Sequence, residues 1–87
     1  MPSFDELFKT LNQRAQGDDG SSKTAELLAL GTHAIGKKII EEAAEVWMAA
    51  EHEGKQATTA EIAQLIYHLQ VLMIDRDISL EELEKEL

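Results

Sequence analysis

The chain has no cysteine, one proline and few aromatics: two phenylalanines, one tryptophan and one tyrosine. Without cysteine there are no disulfides, thiolate zinc sites or cysteine nucleophiles. Basic residues are also scarce. Eight Lys and Arg stand against seventeen Asp and Glu, for a formal net charge of −9. That balance argues against non-specific nucleic-acid binding and against anionic membranes, which both want a basic surface. It does not bar a phosphate-bearing ligand, because a bound divalent cation can invert the local field. No apolar run approaches the roughly 20 residues of a membrane span. The opening Met-Pro-Ser-Phe-Asp lacks the basic and apolar regions of a signal peptide, so a cytoplasmic setting is expected. Phosphate-binding G-x-x-x-x-G-K-[ST] and G-x-G-x-x-G loops are missing, as is a G-x-S-x-G elbow.

What is present is a chain of 87 residues, 44% hydrophobic and 29% charged, which fits one domain over 1–87. A domain this small buries a modest fraction of its surface and usually needs a metal, a staple or a partner. The pattern reads as all-α. Three S/T-x-x-E capping boxes mark helix starts: Ser3 with Glu6, Thr58 with Glu61, and Ser79 with Glu82. The first helix carries Phe4, Leu7, Phe8 and Leu11 on one face and ends at Gly17. The glycine-rich stretch from Gly17 to Ser22 reads as a loop, followed by a short helix from Lys23 to Leu30 stopped by Gly31. Long helices are expected from about Thr32 to Glu53, capped by Gly54, and from Thr58 to about Arg76. Gly36, inside the first of these, suggests close backbone packing.

On the first long helix Ile35, Ile39, Ala43, Val46, Trp47 and Ala50 form an apolar arc. On the second, Ile62, Leu65, Leu69, Leu72 and Met73 form another. The pair makes an antiparallel hairpin too small to enclose a core. A four-helix-bundle core completed by dimerisation is the expected solution, with Trp47 and Tyr67 as core or interface aromatics.

Most of the acids belong to solvated helix faces, and Glu51, Glu53 and the glutamates after Ser79 are assigned there. Glu42 and Glu61 instead border the apolar arcs, each with an oxygen-bearing residue at i+3, Glu45 and Gln64 respectively. Carboxylates gathered at a half-desolvated edge repel one another, and a divalent cation resolves that. Hard oxygen donors suit Mg²⁺, with Mn²⁺ able to substitute. The plainer alternative pairs Glu42 with Lys38 at i−4 and leaves Glu61 to its capping box. Of the histidines, His33 and His52 read as surface or structural residues. His68 shares a stripe with Gln64 and could contact a ligand or be a buried, hydrogen-bonded imidazole. Lys38 could reach a phosphate or neutralise Glu42.

The run Gly36-Lys37-Lys38-Ile39-Ile40-Glu41-Glu42-Ala43-Ala44-Glu45-Val46, followed by Glu61-Ile62-Ala63-Gln64-Leu65-Ile66-Tyr67-His68, resembles the phosphoribosyl-ATP pyrophosphatase family of MazG-like, all-α NTP pyrophosphohydrolases. Ser22-Lys23-Thr24-Ala25-Glu26-Leu27-Leu28 is similar to that family's S-x-T-A-x-L-L segment. The resemblance runs from about Ser22 to Leu87. It implies a MazG-like helical hairpin with short flanking helices and Mg²⁺-dependent hydrolysis of phosphoribosyl-ATP to phosphoribosyl-AMP and pyrophosphate in histidine biosynthesis. By position it implies Glu42, Glu45 and Glu61 as metal ligands, with Glu41 close by, and Lys37 and Lys38 match the family's lysine pair for phosphate contact. The family's E-x-x-D ends here in Gln64, whose amide oxygen can ligate Mg²⁺ but is neutral and weaker. The site uses it, runs on three carboxylates, recruits Glu41 or has an altered metal position. From the chemistry alone, a carboxylate not fully committed to metal, Glu41 or Glu45, is the candidate to take the proton of an attacking water. His68 is the candidate for a further substrate contact. Two other readings stay open at this level: a house-cleaning nucleoside triphosphate pyrophosphatase, and a non-catalytic dimeric binding module.

Overall fold

The computed structural model describes residues 2–17 and 22–87. It contains five helices: α1 (Phe4–Gly17), α2 (Lys23–Leu30), α3 (Thr32–His52), α4 (Lys55–Asp75) and α5 (Leu80–Glu86). The expected loop between α1 and α2 lies mostly outside the described residues. α3 and α4 form the hairpin, each 21 residues long, or about 31 Å at 1.5 Å per residue. The turn between them is two residues, Glu53 and Gly54, and Gly54 adopts φ +115. Its N–H and that of Glu53 both return to the Ala49 carbonyl, so the expected glycine stop of α3 is present. Gly31, at φ +96, serves twice: it ends α2 and starts α3.

Local chemistry sets the helix starts. Ser3 and Glu6 exchange side-chain and backbone hydrogen bonds, 2.9 and 3.2 Å, ahead of α1. Ser79 and Glu82 do the same at α5. The third box is a correction. α4 begins at Lys55 with Gly54 as its N-cap residue, and the Thr58 hydroxyl donates 2.7 Å to the Gly54 carbonyl from inside the helix. A serine or threonine within a helix can satisfy itself on the i−4 carbonyl, so Glu61 has no capping duty.

α1 and α2 cover one side of the hairpin. The core is Leu11, Leu27, Ile35 and Val71, one residue from each of these four helices, with Leu7, Leu28, Ile39, Tyr67, Leu72 and Ile74 packed around it. Two polar links hold the layers. The buried Gln70 donates from Nε2 to the Phe4 carbonyl at 3.0 Å. The buried Thr24 hydroxyl lies 2.8 Å from the Tyr67 hydroxyl.

The apolar arcs are only partly buried. Ile35 and Met73 are buried, whereas Ala50 is exposed, Trp47 is 67% exposed, Ile62 43% and Leu69 41%; the alanine buried near the turn is Ala49, outside the expected arc. The arcs are wider than the contact between two helices, so one edge of each stays open within a single chain. Around Gly36 there is open space rather than a packed neighbour, which corrects the expectation of close packing within the chain. Among the described residues, no helix is long and apolar enough to cross a membrane.

Candidate metal and phosphate site

Glu42 and Glu45 stand one turn apart on α3, and Glu61 faces them from α4. Each offers a carboxylate oxygen, and the three oxygens lie within 4.8 Å of one another. Glu42 and Glu61 are half-buried, and Glu45 is exposed. The hairpin makes this cluster: a two-residue turn returns α4 antiparallel to α3, and the i, i+3 pair on one helix meets a glutamate on the other.

The plainer roles considered for these acids are taken by other groups. Lys38 pairs at 3.4 Å with Glu41, not Glu42, and among the described residues that is the one ion pair. Thr58 turns back to Gly54, so Glu61 caps nothing. The acids are left facing one another. The carboxyl of Glu61 is held above its ordinary value, first by burial, then by the negative charges of Glu45 and Glu42. A hydrogen bond with Glu42 that favours the protonated form adds to this, as does the charge of Glu53. A cluster strained in this sense gains when a cation enters.

The remaining expected residues fall around it. Gln64 follows Glu61 by one turn and is exposed. Its backbone carbonyl accepts a 2.7 Å hydrogen bond from His68 Nδ1. His68 itself is buried, 1% exposed, with its ring edge-on to Tyr67 at 4.9 Å and its Nε2 without a partner. The structure therefore makes His68 an inward-facing side chain of α4, not one offered at the surface. Lys37, Lys38 and Glu41 are exposed along α3.

Glu53 is exposed, as its assignment to a solvated face expects, and its charge is the last contribution to the raised Glu61 carboxyl. Sequence reasoning does not find the Thr24–Tyr67 link, whose partners are 43 positions apart with no local pattern joining them.

Three carboxylate oxygens converging between two antiparallel helices form an acidic cluster that could hold a metal ion in an all-α hairpin. Comparison with known proteins makes this particular. The family model for phosphoribosyl-ATP pyrophosphohydrolase matches residues 4–87, and the chain belongs to that family. It is 59% identical over 81 residues to a phosphoribosyl-ATP pyrophosphatase of Streptomyces avermitilis, covering 92% of this chain and 90% of that one. It is 54% identical over 87 residues to those of Bifidobacterium adolescentis and Salinibacter ruber, at full coverage of both chains in each case.

Proposed function

We propose that this protein hydrolyses 1-(5-phosphoribosyl)-ATP to 1-(5-phosphoribosyl)-AMP and pyrophosphate, the second step of histidine biosynthesis, as a cytoplasmic, Mg²⁺-dependent homodimer. Family membership over residues 4–87 supports the reaction. The observation that carries the chemistry is the convergence of Glu42, Glu45 and Glu61 within 4.8 Å.

The donor set suits the ion: three hard oxygens, no sulfur, and a Glu61 carboxyl already disfavoured as a lone anion. Glu42, Glu45 and Glu61 would hold Mg²⁺ or Mn²⁺, and the Gln64 amide oxygen, one turn on from Glu61, is the neutral fourth donor. Bound there, the cation supplies charge neutralisation at the phosphoanhydride and a more acidic water. The chain's own groups do the rest. Glu41 or Glu45 accepts the proton of the attacking water as its oxygen bonds to phosphorus and the anhydride P–O bond breaks, releasing pyrophosphate. Lys37 and Lys38 bind phosphate oxygens. Lys38 pairs with Glu41 at 3.4 Å, one helical turn from Glu45, which supports its assignment to the phosphates. His68 serves the substrate through the Gln64 carbonyl, fixing the backbone under the fourth donor.

Dimerisation is supported by the open edges of the arcs. Trp47 on α3 and the i, i+7 pair Ile62 and Leu69 on α4 are large apolar side chains left in water, and a second copy would cover them to complete a four-helix core. Trp47→Glu should leave a monomer by sedimentation, and an unchanged dimer would contradict this part.

The test of the reaction is pyrophosphate release from phosphoribosyl-ATP, with and without Mg²⁺. Glu42→Gln should lower turnover by more than about a hundredfold, beyond the 10–100-fold typical of an outer-shell partner, with helicity unchanged. Undiminished turnover in Glu42→Gln would overturn the site.

A further inference from the structure

We infer that the cleft between α2 and α3, lined by Leu27, Leu30, Ala34, Lys37, Lys38 and Glu41, seats the purine of phosphoribosyl-ATP, and that Lys37 takes the phosphate of its phosphoribosyl group. The inference rests on the acid cluster receiving the triphosphate end.

The cleft holds about 230 Å³. That is below the roughly 300–1,000 Å³ of a pocket for a whole ligand, so it is sized for one moiety. Half of its lining is aliphatic, Leu27, Leu30 and Ala34, which gives a flat base an apolar surface to lie on. Leu30 is 70% exposed and joins no core.

Position links the cleft to the acids. Ala34, Lys38, Glu41 and Glu45 fall at i, i+4, i+7 and i+11, one stripe of α3. Glu41, in the cleft's lining, is one turn, about 6 Å of helix rise, from Glu45 in the cluster. A nucleotide with its phosphates at the cluster therefore directs its base along that stripe and into the cleft.

Beyond the cleft a second hollow, of about 420 Å³, runs along His33, Gly36, Lys37 and Ile40. All its lining comes from α3, so it lacks a second wall to grip a ring. It shares Lys37 and Glu41 with the cleft, which sets Lys37 between the two. Lys37 makes no ion pair among the described residues, whereas Lys38 is engaged by Glu41. Gly36 gives the hollow its open floor, with nothing within 4 Å of where a Cβ would stand. An anionic substituent leaving the purine edge finds there both room and a free ammonium. This would let the enzyme tell its substrate from ATP, which has the purine and triphosphate but lacks the second phosphate-bearing arm.

The test measures kcat and KM for phosphoribosyl-ATP, and inhibition by ATP, in Leu30→Asp, Ala34→Trp and Lys37→Ala, with melting curves confirming the fold. Leu30→Asp and Ala34→Trp should raise KM by at least roughly tenfold and weaken ATP inhibition in parallel, with the Mg²⁺-induced rise in Tm retained. Lys37→Ala should raise KM by a similar factor while leaving ATP inhibition unchanged. Unaltered KM in both cleft variants, or a fall in kcat alone, would overturn the purine seat. Equal weakening of ATP in Lys37→Ala would assign that lysine to the triphosphate and overturn its role in selectivity. Glu42→Gln in the same assay separates the two levels: its loss of turnover with unaltered cleft variants rejects only this inference, whereas its full activity rejects the acid site beneath it.

Discussion

The two halves of the α3–α4 hairpin are built on opposite principles. At the Thr32–Asp75 end, α1 and α2 cover the helices: Ile35 and Val71 are 0% exposed, and the Thr32 hydroxyl donates to the Asp75 carboxylate across the hairpin. Toward the Glu53–Gly54 turn, from Gly36 to Tyr67, Ala49 alone is buried. There Glu42, Glu45 and Glu61 face one another and Trp47 stands in water. The covered half concentrates stabilising burial. The open half carries two destabilising features, like charges and exposed apolar surface, and each has a physical remedy outside the single chain. The proposed site sits where the chain has left its own interactions incomplete.

Core truncation should give the largest stability effect. Leu11→Ala removes the α1 side chain from the four-residue core and should cost about 2–5 kcal/mol in urea unfolding. A loss below about 1 kcal/mol would mean that the covered half does not hold the fold. The open half should respond in the opposite direction. Burial and the neighbouring acids make folded Glu61 hold its proton to higher pH than the unfolded chain does. Stability from that proton is full below the ordinary glutamate value and is lost as pH rises through the raised one. In metal-free protein, Glu61→Gln should therefore melt above wild type at about pH 7, with the gap closing toward about pH 4. A gap independent of pH would remove the electrostatic explanation. The smallest effect belongs to neither half. Asp77, just after α4, adopts φ +56 in a turn where the Ile78 N–H bonds the Met73 carbonyl at 2.8 Å. Asp77→Gly should stabilise by a few tenths to about 1 kcal/mol, read from thermal or urea melts; destabilisation would show that the aspartate side chain contributes more than its backbone strain costs.

Features with local causes were legible in the sequence. Ser3–Glu6 and Ser79–Glu82 complete their interactions within four residues, and Gly31 and Gly54 stop helices where a positive φ is required. Thr58–Glu61 carried the same spacing and was misread, because the Gly54 turn starts α4 a turn earlier and Thr58 satisfies itself inside it. Burial was legible only in part. Gln70 is fully buried because its partner is the Phe4 carbonyl, 66 residues away, and periodicity cannot report such a contact. The acid site lay between these cases. The i, i+3 spacing put Glu42 and Glu45 on adjacent stripes, and the hairpin register then decided that Glu61 meets them. The outward turn of Trp47 followed from the same register, since an apolar arc shows how much of a helix wants cover and not which part a neighbour supplies.

The most direct test of the central claim is a Mg²⁺ titration followed by Tm, comparing wild type with Glu61→Gln. If the three carboxylates hold the cation, wild-type Tm rises with [Mg²⁺] and keeps rising once the free ion exceeds its Kd, by an increment equivalent to about 2.7 kcal/mol at 100 Kd. Glu61→Gln should start higher at neutral pH and stay flat. An equal Mg²⁺-dependent rise in both proteins would contradict the assignment and place the cation elsewhere.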